Sequence, residues 1–329
     1  MLSSQHHHPS PGGRETGASA DVIDVHHHVL PPAYLAQNSS EVTKRAPGFQ
    51  QVLQWTPGKS LADMDAGGVR TAVLSMPSPI WFGDVAQARE LARLSNDYSR
   101  QLARAHPGRF QVFATLPMPD VAGSIDELDH ALAAGALGVL LLSNYDDRYL
   151  GDAQFRPLLQ ELDRRRTTVY VHPTAASCCQ QLVPQLAPAF LEFPFDTTRT
   201  IASLLYTGSL SAFRNIAWIF SHGGGALPYL ADRLSQWAKA RPDLAALLPE
   251  GPMAELRRLH FDTASVTNQY ALQTLLVFAG PDRILFGTDF PFVSAAPQLA
   301  ELAGNRLDPA TLSAIRHGNA ERLLPALRR

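Results

Sequence analysis

The sequence predicts an α/β protein built as a closed (β/α)8 barrel, the TIM barrel. Eight short apolar segments that suit β-strands alternate with segments that suit helices. Most of the connections are short, which is typical of parallel strands joined by helices. The chain has 329 residues, and such a barrel needs about 250 before insertions.

The predicted strands are rich in apolar residues and cover residues 22–29, 71–77, 110–117, 138–144, 168–173, 216–222, 259–265 and 284–289. Helical patterns between them cover residues 85–105, 124–134, 153–165, 198–206, 226–240, 268–279 and 297–302. Residues 30–60 and 173–195 are predicted to be long loops. Each follows a strand with a candidate ligand, so we expect both on the catalytic face of the barrel.

The composition limits the binding partners and the cellular compartment that can be expected for the protein. The hydrophobic fraction is 45%, the net charge is −2 and the isoelectric point is near 6.6, so no basic surface indicates a nucleic acid or a membrane as partner. No apolar stretch reaches the roughly 20 residues of a membrane span, and the start lacks the apolar core of a signal peptide. We therefore expect a cytoplasmic protein. Residues 1–20, rich in Ser, Gly, Pro and His, predict a disordered tail, and residues 21–329 predict a single barrel domain.

Three predicted strands contain residues of the types that bind metal ions. The first strand contains His26 and His28, which lie on one face while His27 points to the other. The fifth strand carries His172 and the eighth ends at Asp289. Because the C-terminal ends of the strands meet at one mouth, we expect the four side chains to lie together. Three imidazoles and a carboxylate suit one divalent ion, with Zn²⁺ as first candidate and Mn²⁺ as second.

The sixth predicted strand ends at His222, which three glycines follow. The glycines allow the backbone and a ligand to approach closely. Histidine exchanges a proton near neutral pH, so we predict that His222 is a general acid/base, with Asp289 as the second catalytic candidate. A further metal ligand or a structural histidine is the alternative for His222.

The lysines bear on the number of metal ions. Binuclear barrel hydrolases often bridge two metals with a modified lysine at the end of the fourth strand. Here that strand ends Leu142-Ser143-Asn144, and none of Lys44, Lys59 and Lys239 lies near a strand end. One ion per subunit is therefore predicted.

Six segments together resemble the amidohydrolase superfamily, in the branch that contains aminocarboxymuconate semialdehyde decarboxylase. They are IDVHHHVLPP at 23–32, MDAGGV at 64–69, VHPT at 171–174, SHGGG at 221–225, GTDFP at 287–291 and GNAERLL at 318–324. The resemblance covers nearly all of residues 22–325. It implies that His26, His28, His172 and Asp289 hold the metal and that His222 handles protons.

Two loops, at 81–84 and 142–152, are most similar to the 6-methylsalicylate decarboxylase group. In the branch, an arginine eleven residues beyond the proton-handling histidine reaches into the neighbouring subunit's site. Arg233 occupies that position, and the resemblance then implies a homodimer; a surface salt bridge is the alternative. Trp81, Asn144, Arg233 and Phe292 are predicted to contact the substrate.

Tyr145 and Phe290 are further candidates for aromatic walls of the site. For all the aromatic residues, packing in the core or on the surface is the alternative.

These observations predict a metal-dependent, non-oxidative decarboxylase of a small aromatic acid of the salicylate type. A GxGxxG fingerprint would indicate a redox cofactor, and a lysine at a strand end would indicate pyridoxal phosphate. The sequence shows neither feature. The same residues suit a hydrolase or hydratase of a lactone, ester or enol, which is the first alternative. A non-catalytic binding protein on the same scaffold is the second.

Overall fold

A computed structural model describes residues 21–45, 50–179 and 182–328. Eight parallel strands form one sheet in which spatial neighbours follow the order of the chain. The strands are β1 (Val22–His28), β2 (Val69–Ser75), β3 (Phe110–Thr115), β4 (Gly138–Leu142), β5 (Thr168–His172), β6 (Ala217–Phe220), β7 (His260–Asp262) and β8 (Ile284–Leu285). A small antiparallel hairpin, Asn144–Tyr145 with Arg148–Tyr149, follows β4. The tail predicted for residues 1–20 lies outside the described residues, so the division into a tail and one domain stays a prediction.

The chain beyond β8 closes the sheet against β1. The backbone N–H of Val25 donates to the carbonyl of Phe286 at 3.0 Å, and that of Asp289 donates to the carbonyl of His26 at 2.8 Å. The backbone N–H of His28 donates to the carbonyl of Phe290, also at 2.8 Å. The predicted (β/α)8 barrel is therefore confirmed, and its closure brings the ends of the first and eighth strands into contact.

Helices surround the barrel, and the described ones have the following bounds. They are α1 (Pro32–Arg45), α2 (Pro57–Gly67), α3 (Val85–Ala105), α4 (Val121–Ala133), α5 (Arg156–Arg164), α6 (Pro188–Tyr206), α7 (Ser209–Ala212), α8 (Leu227–Lys239), α9 (Pro242–Leu247), α10 (Pro252–Arg257), α11 (Gln269–Ala279), α12 (Ala295–Gly304), α13 (Pro309–Ser313) and α14 (Asn319–Leu323). Across the described ranges, none of the helices is long and apolar enough to cross a membrane.

The prediction of two long loops is wrong in part. Helix α1 and the 3-10 turn Gln50–Gln54 occupy the first segment, and α6 begins at Pro188 instead of residue 198. Both helices start with proline, whose fixed φ suits the first helical position. Residues of both helices line the cavity at the mouth of the barrel, so their predicted place on that face is correct.

Aromatic side chains fill the barrel interior beneath that mouth. The rings of Phe113 on β3 and Tyr170 on β5 are fully buried and stack with centroids 5.5 Å apart. The hydroxyl of Tyr170 donates to Asp262 at the end of β7 at 2.9 Å. The apolar core thus ends in a polar layer that faces the mouth.

Candidate metal centre and active site

Four side chains converge where β1, β5 and the segment after β8 end. His26, His28, His172 and Asp289 each offer one ligand atom, and these atoms lie within 4.8 Å of one another. The Nε2 atoms of His26 and His28 are 3.1 Å apart. Oδ1 of Asp289 is 2.8 Å from Nε2 of His28 and 3.1 Å from that of His26. The structure thus brings together the four residues predicted from separate strands.

The hydrogen bonds of the imidazoles decide which nitrogens face the cluster. Nδ1 of His26 donates to Oδ2 of Asp262 and Nδ1 of His172 donates to the carbonyl of Pro173, both at 2.9 Å. Nδ1 of His28 lies 3.3 Å from the carbonyl of Ser75. A neutral imidazole that donates through Nδ1 has a lone pair at Nε2. Three such lone pairs and a carboxylate oxygen therefore converge, and this donor set fits a divalent cation.

The electrostatics of the cluster also favour a cation. Burial acts to lower the pKa of His26, but Asp262 and Asp289 outweigh it and raise that pKa to about 10. Burial, reinforced by the neighbouring imidazoles, lowers the pKa of His172 well below its usual value. Burial would raise the pKa of Asp289, yet His26 and the other imidazoles hold it well below its usual range. At neutral pH His26 thus holds a proton beside an ionised carboxylate, and a divalent ion would take the place of that proton.

Asp262 is a functional candidate that the sequence analysis missed. Its Oδ2 accepts from Nδ1 of His26 and from the hydroxyl of Tyr170. Its Oδ1 accepts from the backbone N–H of His222 at 2.8 Å and of Ala264 at 3.0 Å. One buried carboxylate therefore orients a candidate ligand and the residue beside the cluster.

We expect Asp262→Asn to weaken metal binding by about 10–100-fold, because a ligating histidine depends on a carboxylate partner for its orientation and basicity. Tyr170→Phe is the matched control, since it removes a donor to the same oxygen and keeps the carboxylate. Competition with a chromophoric chelator measures both affinities. Equal affinity of Asp262→Asn and the unaltered chain would contradict this role.

His222 lies directly after β6 and beside Asp289. Its Nδ1 lies 3.2 Å from the carbonyl of Ala264, so that Nε2 faces Oδ2 of Asp289 at 3.9 Å. The side chains of His222 and Asp289 are 12% and 15% exposed, so both reach the cavity. Both residues also have positive φ, 52° and 69°, a strained backbone that is common at functional sites.

The glycines after His222 allow this approach. Gly225 has a φ of 65°, and a Cβ atom there would lie 1.9 Å from the carbonyl oxygen of Pro194 in α6. No side chain fits at that distance. The glycine turn thus lets α6 pack against the end of β6 and form one wall of the site.

The family model described as amidohydrolase matches residues 23–326, nearly the whole described chain. The chain belongs to the amidohydrolase family. Decarboxylase macB of Penicillium terrestre is 35% identical over 286 residues, which cover 82% of this chain and 84% of that protein. The 6-methylsalicylic acid decarboxylase of Penicillium expansum is 34% identical over 278 residues, with coverage of 82% and 84%.

Among solved structures, dihydroxybenzoic acid decarboxylase of Polaromonas sp. JS666, with bound manganese and 2-nitroresorcinol, superimposes with a TM-score of 0.82. It is 22% identical, and the match covers 94% of this chain and 98% of that one. This likeness confirms the fold of the amidohydrolase.

His27 of this amidohydrolase points away from the cluster, as strand alternation predicts. Its ring is fully buried and stacks on Phe290 with centroids 4.7 Å apart. Nδ1 lies 2.9 Å from Oδ2 of Asp24, and Nε2 lies 3.0 Å from Oγ of Ser60. The indole N–H of Trp55 also donates to Oγ of Ser60, at 3.0 Å. His27 thus joins β1 to α2.

We expect His27→Ala to lower the free energy of unfolding by roughly 2–4 kcal/mol, because it leaves a buried cavity and removes the contacts of the ring with Asp24 and Ser60. Its metal content should stay at that of the unaltered chain, whereas His28→Ala should lose the ion. Urea unfolding and elemental analysis check the two effects. Loss of the ion from His27→Ala would contradict the orientation of β1.

The mouth of the amidohydrolase holds a cavity of about 680 Å³. Of the four predicted substrate contacts, Phe292 lines it, with its ring 5.9 Å from that of His28. Trp81 is not among the described lining residues, and its indole N–H donates to Asp146 at 2.8 Å. Arg233 is exposed on α8. Neither of these two contacts the cavity within one chain.

Asn144, the remaining predicted contact, is buried behind the wall. Its side-chain amide donates to Oδ2 of Asp196 at 2.7 Å, and the hydroxyl of Tyr149 donates to Oδ1 of the same carboxylate at 2.8 Å. Ser143 also donates to Asp196. Asn144 therefore anchors the hairpin to α6, and Asp196 is the buried residue that the sequence analysis missed there.

The two other aromatic candidates also pack away from the cavity. Tyr145 is buried, and its hydroxyl accepts from the backbone N–H of Leu142 at 2.8 Å. Phe290 is buried against His27. Both residues therefore pack in the interior, which was the alternative interpretation of the sequence.

Proposed function

We propose that this amidohydrolase is a metal-dependent, non-oxidative decarboxylase of a small aromatic acid of the salicylate type. The observation that carries the proposal is the cluster of His26, His28, His172 and Asp289 with His222 beside it, in a family whose relatives at 34–35% identity are decarboxylases. Those relatives are matched over most of both chains. The enzyme is accordingly a carboxy-lyase.

The reaction requires a proton at the ring carbon that bears the carboxylate. A divalent cation held by His26, His28, His172 and Asp289 would attract the carboxylate of the substrate and would withdraw charge from it. The ring carbon takes up the proton, the bond to the carboxylate breaks, and its electron pair restores the aromatic ring as CO₂ leaves. An ortho hydroxyl supports this step because it makes the ring carbon more basic.

Two side chains are placed to hold that proton. Nε2 of His222 and Oδ2 of Asp289 face each other at 3.9 Å at the edge of the cavity. Nδ1 of His222 is engaged with the carbonyl of Ala264, so Nε2 is the atom that exchanges protons. Oδ1 of Asp289 is directed at His26 and His28, which leaves Oδ2 on the side of His222. We assign His222 as the general acid/base and Asp289 as its partner.

We further propose one ion per subunit, with zinc as first candidate and manganese as second. Three imidazoles and one carboxylate suit zinc. The dihydroxybenzoic acid decarboxylase of Polaromonas sp. JS666 supports manganese, because its structure contains that ion. Elemental analysis of protein purified without added metal, followed by loading with each ion and an activity assay, separates the two.

The homodimer is also part of this proposal. Arg233 is exposed within one chain, which agrees with a contact across a subunit interface. Sedimentation of the unaltered chain and of Arg233→Ala tests it: a monomeric unaltered chain that is fully active would end this part of the proposal. The cytoplasmic location stays a prediction from composition.

The decisive assay incubates the metal-loaded enzyme with a panel of hydroxybenzoates and follows CO₂ together with the phenol product. Benzoates that lack the ortho hydroxyl are the matched controls and should not react. Turnover of lactones, esters or enols, with no CO₂ from any acid, would move the enzyme to the hydrolase or hydratase alternative.

A further inference from the structure

The cavity beside the metal ligands is larger than an unsubstituted hydroxybenzoate requires. It measures about 680 Å³, whereas an apolar cavity of about 150 Å³ holds a benzene ring. A carboxylate and a hydroxyl add only a few atoms to such a ring. Most of the volume would therefore stay empty or filled with water around a simple salicylate.

The rest of the cavity is mostly apolar. Its described lining away from the candidate ligands comes from α1, the 3-10 turn after it, the segment after β2, the start of α6 and the loops after β5, β6, β7 and β8. The apolar side chains there are Val42, Val52, Pro77, Pro79, Pro173, Ala175, Pro188, Ala189, Phe190, Phe193, Pro194, Val266, Phe292 and Val293. An apolar group bound there would be transferred from water to an apolar surface, which is favourable.

The ring itself has a place near the ligands. Phe193 of α6 lies with its ring 6.3 Å from that of His172, and Phe292 lies 5.9 Å from His28. Val42 and Val52 are 4% and 2% exposed and belong to elements that carry no candidate ligand. Both valines line the cavity, so an apolar substituent on the ring has a surface on these two elements in addition to the two phenylalanines.

The charges of the lining disfavour a second anionic group. Apart from the candidate active-site residues, the described charged residues of the cavity are Glu41 and Lys44. Their side chains pair at 2.6 Å, and Lys44 is 69% exposed at the rim. Outside the candidate active-site residues, the described lining thus offers a second carboxylate only Lys44, which already pairs with Glu41.

We propose that the substrate is a hydroxybenzoate with one carboxylate and an apolar ring substituent of three or more carbons, and that Val42 and Val52 limit the length of that substituent. This inference rests on the proposed decarboxylase function, which fixes the carboxylate end of the molecule at the ligand cluster. The apolar surface of the cavity fixes the other end.

The test is a homologous series of 2-hydroxybenzoates with hydrogen, methyl, propyl or pentyl at carbon 4 or at carbon 6. We expect KM to fall about three- to fourfold with each added methylene at the accepted position, because each methylene leaves water. The value of kcat should change little, since the substituent binds equally in the ground and transition states. The matched ligand control has the same chain length but ends in a carboxylate, and it should bind at least tenfold more weakly than the pentyl acid.

Val42→Phe narrows the proposed substituent region. We expect it to raise KM for the pentyl acid about tenfold or more and to leave KM for salicylate unchanged, because filling an apolar pocket excludes the chain and not the ring. Val277→Phe is the matched control, because Val277 is 83% exposed on α11 and is not among the described lining residues. Both variants require a melting temperature close to that of the unaltered chain.

The outcomes separate this inference from the proposed function. CO₂ release from the short acids, with KM flat or rising along the series, overturns the inference and leaves the decarboxylase in place. If no acid releases CO₂, calorimetric binding of the same series still tests the cavity: affinity that rises with chain length supports it, and affinity that does not rise overturns it. The series on the unaltered enzyme decides the question even where Val42→Phe fails to fold.

Discussion

Asp289→Asn is expected to remove both the bound ion and turnover, the latter on the order of 10³–10⁴-fold. The substitution keeps the shape of the side chain and removes the one anionic ligand, whose Oδ1 lies 2.8 and 3.1 Å from two imidazole nitrogens. It also removes the carboxylate that faces His222, so the proton donor and the ligand set fail together. Elemental analysis and CO₂ release measure the two effects.

Asp282→Asn is the matched control for this experiment. It makes the same change in the same part of the chain, but its side chain is 79% exposed and pairs with Arg322 at the surface. We expect full metal content and full activity. A variant of Asp289 that keeps one ion per chain and loses only activity would instead restrict Asp289 to proton transfer.

The strand ends could be predicted because parallel barrels impose a simple rule on them. His26, His28, His172 and Asp289 each follow an apolar run, and the C-terminal ends of such runs meet at one mouth. The rule gives no information on contacts between distant elements. Asp262 ends its strand in the same way, yet its role becomes visible only from its contact with His26, 236 residues away.

The substrate contacts were harder to predict for a related reason. Asn144 is close to the mouth in sequence, but Asp196 binds its amide and turns it into the wall. That partner lies in a segment predicted to precede a helix, and α6 in fact begins at Pro188 and includes it. Local patterns place a residue on an element. They do not show which distant side chain will bind that residue, as Asp196 binds Asn144, and so whether it faces the cavity or the interior.

Substitution of His222 separates metal binding from proton transfer. We expect His222→Asn to keep one ion per chain and to lose turnover about 100-fold or more, as for loss of a positioned acid/base. Asparagine retains an N–H that can donate to the carbonyl of Ala264, as Nδ1 of His222 does. It has no group that exchanges a proton near neutral pH, so the position is kept and the chemistry is removed.

The proton step can be measured apart from CO₂ loss. In D₂O, the unaltered enzyme should exchange the hydrogen of the phenol product at the carbon that carried the carboxylate, because the same residues act in reverse. His222→Asn should lose this exchange in the same proportion as turnover, whereas His317→Asn, a partly exposed histidine that contacts Asp21, should keep both. If His222→Asn loses the ion, His222 is a fifth ligand. If it keeps both ion and exchange, Asp289 delivers the proton alone, since its Oδ2 is the other acidic atom at that edge of the cavity.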